Sequence, residues 1–91
     1  MKHVKKALEE VIDNAGIRSA LNQEAAMGLW GEVVGEKVAV VTKADRVESG
    51  TMVVKVETSV WRQELHMQKE EIINKLNKKI GTSVIREIRF I

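Results

Sequence analysis

The fold is decided by residues 44–65, which read ADRVESGTMVVKVETSVWRQEL. The Ser-Gly pair at 49–50 is typical of a two-residue turn between paired strands, because glycine tolerates the positive φ that such turns require. On both sides of it, apolar and polar residues alternate with the period of two that a half-buried strand shows. This pattern predicts a hairpin with a short strand at about 44–48 and a longer one at 51–58.

The alternation also assigns the two faces of the longer strand. A two-residue turn places Val47 opposite Met52, on the face that packs against the core. The core-facing residues of the strand are Met52, Val54 and Val56, and those of the other face are Val53, Lys55 and Glu57. The short first strand carries charged residues, which is typical of an edge strand protected against aggregation.

A helix at about residues 60–80 is predicted to follow the hairpin. Thr58 or Ser59 can cap its first turn with a side-chain oxygen, and Gly81 ends it. Its apolar stripe is Trp61, Leu65, Ile72, Leu76 and Ile80. Gln68 and Lys69 interrupt this stripe, so we expect the Lys69 side chain to extend its ammonium group to solvent.

The last residues predict a third strand. Val84, Ile88 and Phe90 alternate there, and Arg86 does not fit the pattern. Strand–helix–strand connections are right-handed, and they place the two strands parallel. The third strand should therefore lie parallel to the strand at 51–58.

Two helices are predicted before the hairpin. The first covers about residues 3–14 and stops at Gly16. The second begins after Ser19, and we extend it to about Val41, although residues 38–42 also have the composition of a strand. Its two neighbouring apolar stripes are Leu21, Ala25, Leu29 and Val33, and Trp30, Val34 and Val38.

The order α-α-β-β-α-β predicts one α+β domain over residues 1–91, with two layers and helices on one face of a three-stranded sheet.

A chain of 91 residues that is 44% apolar and 31% charged can build one modest core and is not wholly disordered. The absence of cysteine excludes disulfides and zinc–thiolate sites. The longest apolar run, Val38–Val41, is too short for a membrane span or secretory signal, so we expect a cytoplasmic protein without membrane contact.

Catalytic residues have little support in the sequence. His66 and Glu70 are spaced four apart and could share a metal, but no third ligand follows at useful spacing. No serine has a histidine and a carboxylate in a suggestive arrangement, and no glycine-rich nucleotide loop is present. We therefore expect no enzymatic activity, no cofactor and no metal. The glycines at 28 and 31 match the GxxG loop of KH domains, but the residues between them are apolar and are needed for helix packing.

Two features leave a binding function open. Trp30 and Trp61 could stack on bases, but both lie on apolar stripes, so we interpret them as core residues. The net charge is only +2, yet basic residues concentrate at both ends of the chain. The candidate nucleic-acid-binding residues are Lys2, Lys5, Lys6, Lys75, Lys78, Lys79, Arg86 and Arg89. If the ends meet, they form a patch for weak, salt-sensitive phosphate binding; the alternative is a solvated surface of mixed charge.

Across residues 20–91 the spacing of apolar residues and glycines resembles the DciA-type domain, a bacterial replicative-helicase loader or operator family. The best anchors are Trp-x-x-Val-Val-Gly at 30–35 and Trp-x-x-Glu-Leu at 61–65. The resemblance implies a KH-like α+β domain that is not an enzyme, contacts the replicative helicase and binds nucleic acid.

Two functional interpretations follow from these patterns, and a third, a small enzyme, is the least supported because no nucleophile–base pair is visible. The first is an adaptor domain that binds a replicative helicase and touches nucleic acid weakly. The alternative is a standalone KH-like protein that binds RNA or DNA and has no helicase partner. Co-purification with the helicase separates the two, and the sequence does not distinguish RNA from DNA.

Overall fold

Helices and strands follow one another along residues 17–91, the part of the chain that this computed structural model describes. The elements are α1 (Ile17–Val34), α2 (Glu36–Ala39), β1 (Thr42–Glu48), β2 (Thr51–Val56), α3 (Ser59–Met67), α4 (Lys69–Ile80) and β3 (Glu87–Phe90). They confirm the predicted α+β class and the order of helices and strands. The helix predicted at 3–14 lies outside the described residues.

The three strands form one sheet in the order β1-β2-β3. Ser49 and Gly50 both have positive φ, 49° and 85°, which is the conformation of a tight hairpin turn. Val47 lies opposite Met52, as predicted, and β3 runs parallel to β2 with Ile88 opposite Met52. A bulge at Asp45, which alternation did not predict, shifts the register of β1.

The helices cover one face of the sheet. Met52, Val54 and Ile88 point to that face and are almost completely buried. They pack with helix residues of the same core, which are Ala26, Trp30, Leu65, Ile72 and Leu76. The other face carries exposed charged residues, so the two-layer arrangement is confirmed and one face of the sheet remains uncovered by the described residues.

The prediction that the second helix continues to Val41 is wrong. α1 ends at Val34, because Gly35 has a φ of 89°, and the residues of an α-helix have negative φ. A single short turn, α2, follows, and β1 begins at Thr42 rather than at residue 44. The hydroxyl of Thr42 links α1, α2 and β1: it accepts from Trp30 Nε1 at 2.9 Å and donates to the carbonyl of Val38 at 2.7 Å.

The single helix predicted at 60–80 is two helices. Thr58 caps the first one, accepting from the backbone N–H of Trp61 at 3.2 Å, as predicted. The chain then bends at Gln68, whose φ and ψ of −98° and 5° leave the helical region. This is the point where the apolar stripe is interrupted, so each helix can turn its own apolar face to the core. Lys69 is partly buried and pairs with Glu87 across to β3 at 2.9 Å.

β3 is shorter than the alternation of Val84, Ile88 and Phe90 suggests. It begins at Glu87, and residues 82–86 form an irregular segment attached to α4. The side chain of Asn77 holds this segment: Oδ1 accepts from the N–H groups of Val84 and Ile85 at 3.1 and 2.9 Å. Its Nδ2 donates to the carbonyl of Ile85 at 2.8 Å. Arg86 therefore stands outside the alternation of the strand.

Candidate nucleic-acid interface

The three predicted lysines near the end of α4 are exposed on the helical layer. Two of them have acidic partners: Lys75 lies 3.2 Å from Glu71 on the same helix, and Lys79 lies 2.9 Å from Glu32 of α1. Lys78 is exposed in the last turn of the helix. Lys2, Lys5 and Lys6 lie outside the described residues, so any meeting of the two basic ends stays a prediction.

The two predicted arginines lie apart from these lysines. Arg86 donates to the carbonyl of Ser49 at 2.9 Å, and its guanidinium lies over Gly50 in the hairpin turn. Arg89 lies opposite Val53, on the sheet face that the helices leave uncovered. The predicted residues within 17–91 thus form no single patch, because α4 and Arg89 belong to opposite sides of the sheet.

The uncovered sheet face brings together basic residues that the sequence analysis did not select. Lys43 of β1 lies directly opposite Lys55 of β2. In the neighbouring row, Arg46 and Arg89 lie on either side of Val53. Val53 itself is only 1% exposed.

The charges on this face are not equally available. Arg46 donates to Glu48 at 2.9 Å and also contacts Asp45, and these two carboxylates raise the pKa of Arg46 above its ordinary value. Within residues 17–91, Lys43, Lys55 and Arg89 have no such ion pair. These three residues form what we name the sheet cation cluster.

Like charges opposite each other in a sheet destabilise it, because their Cβ atoms lie only about 4.5–5.5 Å apart. The Lys43–Lys55 pair therefore contributes repulsion to the described fold, which a bound anion would relieve. Acidic residues limit the extent of the cluster: Glu48 and Glu87 lie at the hairpin end of the same face, and Glu57 lines a pocket together with Lys43 and Lys55 at its other end. The cluster can therefore contact a few phosphates and no more.

One signal for this cluster was present in the sequence. The alternation of β2 places Lys55 on the polar face, but a single lysine there reads as an ordinary exposed residue. Lys43 was missed because the strand was predicted to start at residue 44. Only the register of the hairpin brings the two lysines together.

The remaining predictions about chemistry concern histidine and the GxxG motif. His66 is exposed on α3, and the bend at Gln68 separates it from Glu70, so the two do not share one continuous helix. No group of three or more potential metal-ligating residues occurs within residues 17–91. The glycines at 28 and 31 lie inside α1, as the packing interpretation requires, and do not form a loop.

A small α+β fold in which the described helices cover one face of a three-stranded sheet is the class that these features define. The family model described as "Dna[CI] antecedent, DciA" matches residues 3–90, so the chain belongs to the DciA family. This confirms the family that the sequence pattern suggested. None of the helices in residues 17–91 combines the length and the apolar character needed to cross a bilayer.

Several curated proteins are similar to this chain. It is 26% identical to a UPF0232 protein of Rhodococcus jostii over 69 residues, which are 76% of this chain and 37% of that protein. It is 23% identical to a UPF0232 protein of Mycobacterium tuberculosis over 84 residues, which are 92% of this chain and 45% of that protein. A UPF0232 protein of Corynebacterium glutamicum is 27% identical over 60 residues, 66% of this chain and 34% of that protein. The chain thus spans less than half the length of these relatives.

Proposed function

We propose that this chain is a non-enzymatic adaptor domain that binds a bacterial replicative helicase and contacts nucleic acid weakly, without reading its sequence. The observation that carries the helicase part is membership of the DciA family over residues 3–90, since the resemblance noted in the sequence is to a family of replicative-helicase loaders or operators. Bacterial replication takes place in the cytoplasm, so the proposal places the chain in that compartment.

The nucleic-acid part rests on the sheet cation cluster. Lys43, Lys55 and Arg89 can each approach a phosphate, and contacts to phosphates carry no base information. Trp30 is buried and so offers no surface on which a base can stack. The lysines of α4 remain a second candidate for phosphate contact, and two of them would first have to leave their acidic partners.

The helicase part is tested by mixing the purified chain with the replicative helicase of the organism that encodes it. We expect the two to elute together in size-exclusion chromatography, with a mass that exceeds that of the helicase alone. If the chain binds single-stranded nucleic acid but elutes separately from the helicase, the adaptor proposal is wrong and the standalone KH-like alternative is favoured.

The nucleic-acid part of the proposal predicts that affinity for a single strand is lost when the charges of Lys43 and Lys55 are reversed. The variant Lys43→Glu/Lys55→Glu should lose most of its affinity for a labelled single strand in fluorescence anisotropy. For the unmodified chain, the affinity should fall by about tenfold or more between 50 and 200 mM salt if about three phosphates are contacted. In the variant this salt dependence should largely disappear.

Two control variants locate the binding surface. Lys37→Glu reverses an exposed lysine of α2 and makes the same kind of charge change away from the cluster, so it should alter affinity only slightly. The triple reversal of Lys75, Lys78 and Lys79 tests the residues predicted from the sequence. If that variant loses binding while Lys43→Glu/Lys55→Glu keeps it, phosphate contact occurs on α4 and not on the sheet.

A further inference from the structure

The sheet has two outer edges, and they differ in their capacity to accept another strand. The edge of β1 is interrupted by the bulge at Asp45, and Arg46 bridges Asp45 and Glu48 along it. Bulges and charges of this kind prevent strand addition. The edge of β3 has no bulge, and α3 runs beside it, so a groove lies between strand and helix.

The hydrogen-bonding groups of β3 show which residues face this groove. Ile91 donates to Val54 and accepts from Val56, both at 2.9 Å, so its backbone groups point to β2. Because these groups alternate along a strand, those of Arg89 also point to β2. The N–H and C=O groups of Ile88 and Phe90 therefore point away from the sheet, to the groove.

A carboxylate already occupies one of these positions. Glu87 Oε1 accepts from the N–H of Ile88 at 2.9 Å, where the carbonyl of an added strand would accept. Lys69 holds the same carboxylate at 2.9 Å, and these two contacts lower the pKa of Glu87 below its ordinary value. The Glu87 side chain is 52% exposed, so an incoming strand can displace it.

The groove has a volume of about 480 Å³, within the range of peptide and ligand sites. Its apolar part is formed by Ile88 and Phe90, and its basic residues are Arg62, His66, Lys69 and Arg89. Among the residues from 17 to 91, Glu87 is the only acidic one that lines it. The groove is therefore complementary to a segment that combines apolar and acidic side chains.

We infer that the β3 edge and α3 bind an extended acidic segment of a protein partner as a fourth strand of the sheet. Main-chain hydrogen bonds to Ile88 and Phe90 supply affinity, as in other cases of strand addition. Alternate side chains of the segment lie on opposite faces: apolar ones contact the helical layer, and acidic ones lie beside Arg89. The inference goes beyond helicase binding, since it holds for whichever protein supplies the segment.

The test uses a synthetic, end-blocked peptide of alternating valine and glutamate and the full 91-residue chain. In a ¹⁵N–¹H NMR titration we expect the largest shifts at the amides of Ile88 and Phe90, and slower hydrogen exchange at Phe90. A peptide with lysine in place of glutamate should bind at least about tenfold more weakly, because its charged side chains would lie beside Arg89.

Two N-methylated forms of the same peptide separate strand addition from simple charge attraction. In an added strand, alternate N–H groups face β3 and solvent. Methylation of the N–H groups that face β3 should therefore abolish binding, and methylation of the N–H groups that face solvent should be tolerated. Equal binding of both forms, or shifts confined to the Lys43–Lys55 face, would overturn the inference. Helicase is not used, so this result is independent of the proposed function.

Glu87→Ala gives the test on the protein side. Removing the carboxylate leaves the N–H of Ile88 free to donate to the peptide. It also removes one negative charge from the groove, so the peptide should bind about three- to tenfold more tightly. Glu71→Ala is the matched control, because Glu71 is also paired with a lysine but lies outside the groove. Unchanged or weaker binding by a folded Glu87→Ala protein contradicts the inference.

Discussion

Replacing Trp30 with alanine is expected to lower the free energy of unfolding by about 3–5 kcal/mol. Trp30 is only 3% exposed and belongs to the core between α1 and the sheet. Its ring lies 6.4 Å from that of Phe90, in a tilted arrangement, and its Nε1 donates to Thr42. The substitution removes the largest side chain of the core together with the contact that joins α1 to β1. For a small domain this is a large part of the total stability.

Urea denaturation followed by circular dichroism measures this loss, and two variants calibrate it. Trp30→Phe keeps most of the ring and loses the hydrogen bond, so it should cost about 1–2 kcal/mol. Trp61→Ala should cost less than Trp30→Ala, because Trp61 is half-buried at the margin of the core. A Trp30→Ala protein with the unfolding curve of the unmodified chain would show that Trp30 is not a core residue.

Replacing Asn77 with alanine is expected to cost about 2–4 kcal/mol, from three hydrogen bonds worth about 0.5–1.5 kcal/mol each. The side chain accepts from Val84 and Ile85 and donates to Ile85. These contacts attach residues 82–86 to α4 and so set where β3 begins. Without them, backbone groups of a partly buried segment lose their partners.

Asn74→Ala is the matched control, because Asn74 is an exposed asparagine on the same helix. It should change the free energy of unfolding by less than about 0.5 kcal/mol. Hydrogen exchange gives a local measurement: in Asn77→Ala the amides of Val84 and Ile85 should exchange faster than in the Asn74→Ala protein. Equal stability and equal exchange in the two variants would contradict the role given to Asn77.

Features that depend on neighbours in the chain were predicted well. The turn at Ser49 and Gly50 and the Thr58 cap are local, since each requires a particular residue type within four positions. The pairing of Val47 with Met52 follows from the length of that turn. The family was recognisable for a similar reason, because apolar spacing and glycine positions survive at low identity.

Predictions failed where a local pattern allowed two conformations. Residues 38–42 suit a helix or a strand, and Gly35 together with the Trp30–Thr42 hydrogen bond decides between them. The thin part of the stripe near Gln68 indicated an irregularity, but packing on the sheet turned it into a bend between two helices. The Trp30–Thr42 hydrogen bond and the packing of the helices on the sheet both join residues that lie further apart than a local pattern reaches.

The candidate sites show the same difference between features set by neighbouring residues and features set by tertiary contacts. By itself the sequence determined the two-layer α+β class, the pairing of Val47 with Met52 beside the turn and the core tryptophan, because periodicity and turn chemistry act over a few residues. Only the tertiary structure decided which charges stand together: it separated Arg89 from the α4 lysines and placed Lys43 opposite Lys55. Within residues 17–91 it also left the β3 edge without a neighbouring strand, beside α3. Charge clusters and strand edges arise from pairing between distant segments, and no local pattern contains that information.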